Sequence, residues 1–176
     1  MDSVKKLYFS LAKFSDKLSR VLEIISAILI AACTLTLLFQ VLYRFVIIKF
    51  FSFSFPFTEE FARYALIWSV YFIIGVCLKE GTQASVNFVY DRLKLPAKTV
   101  LYYITRVFMA VFLTITVIYS VKVIQNYSFF RSSTLRVPGA FLFSAPLVGC
   151  ALMAFETLVE VLGVITKVIE PFGSRA

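Results

Sequence analysis

The stretch IISAILIAACTLTLLFQVLY, residues 24–43, decides the fold class. It runs for 20 residues without a charge, between Glu23 and Arg44. As a helix rising ~1.5 Å per residue it spans ~30 Å, the thickness of a bilayer's hydrocarbon core. Three more apolar runs follow: 64–78 between Arg63 and Lys79, 99–121 interrupted by Arg106, and 137–155 between Arg136 and Glu156. In hydrocarbon each backbone amide must be satisfied inside its own segment, and runs of these lengths can do so only as helices. The chain reads as an all-α integral membrane protein with four transmembrane helices, spans about 22–45, 59–80, 98–122 and 137–158 within a domain of 21–176.

Composition agrees. Of 176 residues 60% are hydrophobic, Phe occupies 20 positions, and mean hydropathy is +0.88. Charged residues make up 16%, against about 25% in ordinary globular chains. There is no His, which excludes imidazole–zinc sites, bis-His haem, Ser-His-Asp catalysis and His proton relays. Cys33, Cys77 and Cys150 stand singly in apolar runs with no C-x-x-C, so they read as small packing residues. No catalytic residue, cofactor or metal is expected. The net charge of +8 lies between apolar runs, where it writes membrane topology and gives no sign of nucleic-acid binding. The first run begins after some twenty mostly polar residues, so a cleaved signal is not expected.

Eleven basic residues (Lys5, Lys6, Lys13, Lys17, Arg20, Lys79, Arg92, Lys94, Lys98, Lys167 and Arg175) fall in the N-terminal segment, the second loop and the C-terminal segment. Six (Arg44, Lys49, Arg63, Lys122, Arg131 and Arg136) fall in the first and third loops. The bias predicts cytoplasmic termini. Within 1–20, Val4, Leu7, Tyr8, Leu11, Phe14 and Leu18 recur at helical spacing opposite lysines. That pattern predicts an amphipathic helix on membrane lipids, or one packed on a partner. Phenylalanines alternate over 50–57, as in an interfacial aromatic layer or a docking ledge. Val86, Val89, Tyr90 and Leu93 suggest a short interfacial helix. Pro96 and Pro138 suit the starts of spans three and four, and Pro146 predicts a kink in the latter. Ala27-x-x-x-Ala31 and Ala145-x-x-x-Gly149 are small-residue pairs that permit close helix approach.

The second uncharged run has 15 residues, about 22 Å, and must recruit flanking charges to cross the membrane. Thr58 is placed as N-cap, with Glu59 and Glu60 in the first turn and Arg63 within pairing distance of either. Glu59, Glu60 and Arg63 are therefore candidates for a buried interface, against the alternative of simple headgroup anchors. Arg106 lies eight residues after Lys98, about 12 Å deeper. It either snorkels to the headgroups or pairs across the bundle, although no acid stands at the middle of a span. Without a central acid or a repeat, the chain reads as a helper and not as a carrier.

Glu59-Glu60-Phe61-Ala62-Arg63-Tyr64 followed by Trp68 resembles the E-E-x-x-R-Y-x-x-x-W pattern of the small permease subunit of tripartite ATP-independent periplasmic (TRAP) transporters, the DctQ-like family. The resemblance continues through Gly75, Lys79, Gly81 and Val86, and returns at Pro138 and Ala145-Pro146-Leu147-Val148-Gly149. Gln83 and Asn87 stand where the family often has His and Asp, so no role of that pair carries over. The resemblance implies a scaffold subunit in the bacterial inner membrane. It would form a stable pair with a large permease subunit that holds the substrate and sodium sites. A periplasmic substrate-binding protein would dock transiently and deliver an organic acid, such as sialic acid, a sugar acid or a C4-dicarboxylate. Glu59, Glu60, Arg63, Tyr64 and Trp68 are the expected partner interface. Two other readings compete. One is a stand-alone proton-coupled exporter acting as an oligomer, with Glu23 as its acid. The other is a redox-enzyme anchor, which without His could ligate no haem by imidazole.

Overall fold

A computed structural model of the chain describes residues 2–45, 56–81, 95–166 and 168. These form four helices: α1 (Asp2–Phe45), α2 (Pro56–Lys79), α3 (Leu95–Asn126) and α4 (Gly139–Ile165). Each is long and apolar enough to cross a membrane. No strand occurs among the described residues, only an isolated bridge between Arg131 and Pro138.

The helices pack in the order α1, α2, α4, α3. α2 lies between α1 and α4, α4 also touches α1, and α3 packs substantially on α4 alone. α1 turns a stripe of small polar residues inward: Ser15, Ser19, Ser26 and Cys33 are all buried. Their spacing keeps them on one helix face, and small side chains let two backbones approach without a hydrophobic drive, which lipid cannot supply. α2 answers with Ala62, Ala65 and Ser69, also buried. The Ser26 hydroxyl donates to the Ser69 carbonyl at 3.2 Å, and the Cys33 thiol to the Ala62 carbonyl at 3.4 Å. On the other side, Leu113 of α3 packs with Cys150 and Met153 of α4.

Several expectations are corrected in detail. The N-terminal segment is not a separate element: α1 runs unbroken for 44 residues, ~66 Å by helix rise, so much of it extends past one hydrocarbon thickness. Tyr8 and Ser15 of this segment are buried, and Phe14 meets Phe155 edge-on at 5.8 Å between ring centroids. α2 starts at Pro56, where a missing N–H costs nothing, so Thr58 is buried within the helix and is not its cap. α4 does not end near residue 158, as expected, but continues to Ile165, enclosing Glu156 and Glu160. Pro138 is its N-cap and Pro146 lies inside it. The Ala145–Gly149 pair is buried, with Tyr71 of α2 against Gly149, whereas Ala27 and Ala31 face outward. The aromatic stretch at 51–55, the expected interfacial helix at 86–93, and Gln83 and Asn87 lie outside the described residues.

Candidate functional site

The charged start of α2 is split between two directions. Glu60 is held by the α3–α4 connection: the Ser132 and Ser133 hydroxyls donate to its carboxylate, the latter at 3.0 Å. The Leu135 and Thr134 amides add donors at 2.8 and 3.3 Å. A carboxylate that collects four donors from one short segment fixes that segment against α2. Glu59 and Arg63 are exposed, and neither makes an ion pair among the described residues. The expected Arg63 pairing with Glu59 or Glu60 is therefore absent. Glu60 has better-placed partners, and at an exposed i, i+4 pair the entropy of two long side chains offsets the attraction.

Tyr64 and Trp68 sit one and two helix turns deeper, on the face α2 shares with Phe61 and Phe72. They line an apolar groove of about 440 Å³ together with Ile25 and Leu29 of α1 and Phe141 of α4. The Trp68 ring lies 5.1 Å from Phe72 and 5.0 Å from Phe141 between centroids. Its indole N–H is buried with no acceptor among the described residues. The structure thus brings Tyr64 and Trp68 together, ties Glu60 to a loop beside them, and leaves Glu59 and Arg63 outside.

At the opposite end of the helices lies a second polar layer. Arg106 of α3 donates to the Glu160 carboxylate of α4, and both side chains are about nine-tenths buried. The guanidinium also lies over the ring of the fully buried Tyr102, 5.0 Å from its centroid. Arg106 therefore pairs across the bundle rather than snorkelling away. Glu156, one turn before Glu160 and buried, accepts from the Ser15 hydroxyl of α1 at 2.7 and 2.8 Å. Lys79 at the end of α2 pairs with Asp16 of α1 at 2.7 Å. The three links join α3 to α4, α4 to α1, and α1 to α2.

The sequence reading does not single out Glu156 and Glu160, because it treats Glu156 only as the boundary of the uncharged run and sets the span's end near residue 158. The signal was there: two acids at i, i+4 share a helix face, and Leu158, Val159, Val161 and Leu162 continue the apolar pattern past them. Among the described residues no group of three His, Cys, Asp or Glu side chains is placed to hold a metal ion. Residues 33–167 match the family model described as tripartite ATP-independent periplasmic transporters, DctQ component. No curated protein and no solved structure matches the chain.

Proposed function

The chain belongs to the DctQ component family of tripartite ATP-independent periplasmic transporters, and on that premise we propose that it is the scaffold subunit paired one to one with the large permease. The pair takes up an organic acid, of the sialic acid, sugar acid or C4-dicarboxylate kind, with sodium as the driving ion. A periplasmic binding protein delivers the substrate. The subunit lies in the bacterial inner membrane with both termini cytoplasmic, an orientation supported by the Lys and Arg distribution. The large permease packs on the side of α2 that carries Tyr64 and Trp68.

The family match over 33–167 carries this reading. The geometry supports a structural role. The described acids within α4 are engaged by other helices of the same chain, Glu156 by Ser15 and Glu160 by Arg106. A carrier needs such groups free for its cargo. Glu23, the acid an exporter would use, is exposed on α1. The apolar groove beside Trp68, lined by Ile25, Leu29, Tyr64 and Phe141, offers a surface on which a neighbouring helix can pack.

The test is purification from native membranes in mild detergent through a C-terminal tag, with mass spectrometry of what accompanies the chain. A stoichiometric, much larger polytopic protein is the expected companion. Recovery as a small homo-oligomer alone would overturn the scaffold role and return attention to transport by this chain itself.

A further inference from the structure

The N-terminal part of α1 faces the bundle on one side and nothing of its own chain on the other. Tyr8, Ser15 and Ser19 are buried. At about 3.6 residues per turn they share a helix face with Ser26 and Cys33, which bond to α2. Three contacts fix this part of the helix: Phe14 on Phe155, Ser15 on Glu156 and Asp16 on Lys79. On the opposite side Lys6, Lys13, Lys17 and Arg20 line up as one stripe. All four are exposed, and none makes an ion pair among the described residues. Leu7, Phe14 and Val21 form a second stripe along its edge, at 54, 59 and 47% exposure. Asp16 and Glu23 lie on the other edge, and Asp16 is engaged by Lys79.

Further along the helix the same side changes character. Ile24, Ile28, Leu35, Leu38 and Leu42 continue the line of the lysines, and all are more than half exposed. In a spanning helix a side of that kind meets acyl chains. The basic stripe therefore lies on a lipid-facing side, beyond the level between Arg20 and Ile24 where the hydrocarbon ends. Lys6 is 14 residues from Arg20, ~21 Å along the axis, whereas one leaflet's headgroup layer is ~5–8 Å thick. Standing upright, α1 would carry Leu7 and Phe14 out into water. Tilted, as over-long spans are, it keeps both at the acyl boundary and the lysines among the headgroups. An apolar stripe beside a basic one is the pattern of a helix that lies in that layer. A second copy of this side would set lysines against lysines, whereas an anionic headgroup complements them.

We propose that this side of α1 is a seat for anionic phospholipid, with headgroup phosphates held by Lys6, Lys13, Lys17 and Arg20 and with Leu7 and Phe14 entering the acyl boundary. The assignment stands on the geometry of the helix and does not depend on the transporter-subunit reading. The probes are spin-labelled phosphatidylglycerol and spin-labelled phosphatidylcholine, each in phosphatidylcholine vesicles that hold the full chain. Electron paramagnetic resonance gives the fraction of each lipid that the protein immobilises. The unaltered chain is expected to prefer phosphatidylglycerol about threefold, and Lys6→Gln, Lys13→Gln and Lys17→Gln together should remove most of that preference. The charge-matched control Arg44→Gln, Arg63→Gln and Arg131→Gln, outside this stripe, should keep it. Equal immobilisation of the two lipids by the unaltered chain overturns the proposal. So does a lysine variant that keeps the preference, or a control that loses as much. In about 1 M salt, where the Debye length is ~3 Å, the preference should largely vanish, and its persistence would place the lipid in a shielded site and overturn the seat. Should the triple lysine variant fail to fold, Lys13→Gln alone decides: a lowered preference supports the seat, and an unaltered one overturns it.

Discussion

Arg106 and Glu160 are each about nine-tenths buried and lie on different helices, so removing one strands the other in low dielectric. Arg106→Ala is expected to destabilise the chain by about 3–5 kcal/mol, measured as a large fall in Tm of detergent-solubilised protein. Replacing both partners, Arg106→Met with Glu160→Met, should recover most of that loss, because the penalty comes from the unpaired charge and not from a missing attraction. Failure of the double variant to recover would place the effect in packing around Tyr102. Trp68 makes the opposite case. Its buried indole N–H has no acceptor among the described residues, and Trp68→Phe keeps the ring contacts to Phe72 and Phe141 while removing that orphan donor. Its Tm should stay level or rise, by up to about 1 kcal/mol of stability.

Between elements, what matters is how closely backbones approach. A Cβ on Gly149 would fall 2.5 Å from Cδ1 of Tyr71, whereas one on Gly75 would meet Leu152 Cβ at 3.3 Å. Gly149→Ala must therefore move the Tyr71 ring or part α2 from α4, at about 1–3 kcal/mol. Gly75→Ala should cost clearly less, and thermal unfolding of the two variants gives the comparison directly. The α3–α4 connection depends in the same way on a single carboxylate. Glu60→Ala removes the acceptor for Ser132, Ser133, Thr134 and Leu135. Residues 127–138 should then be cut faster in limited proteolysis, with Glu60→Gln in between because its amide retains one acceptor oxygen. Equal cleavage rates for all three proteins would show that the backbone hydrogen bonds alone hold the loop.

Over the whole molecule, four helices that share little buried surface are fastened at two levels, by Glu60 at one end and by the Asp16, Ser15–Glu156 and Arg106–Glu160 layer at the other. The links are unequal. Asp16 is 59% exposed in its pair with Lys79, so Lys79→Met should cost no more than about 1 kcal/mol, far less than Arg106→Ala in the same Tm assay. A comparable loss would mean that the Asp16 pair is shielded by something outside this chain. The sequence by itself determined the class, the four spans and the family resemblance, because run length and hydropathy are local quantities that a bilayer reads directly. The span-two motif was legible for the same reason, since its residues are neighbours in the chain. Tertiary structure alone decided which charges meet. Arg106 and Glu160 are 54 positions apart, and Ser15 and Glu156 are 141 apart. Their meeting depends on the order α1, α2, α4, α3 and on the antiparallel register of α1 and of α3 against α4, which no periodicity within one helix specifies. Glu60 shows the same limit: its nearest basic neighbour in sequence was Arg63, but the fold brought it four donors from a loop 72 to 75 residues away.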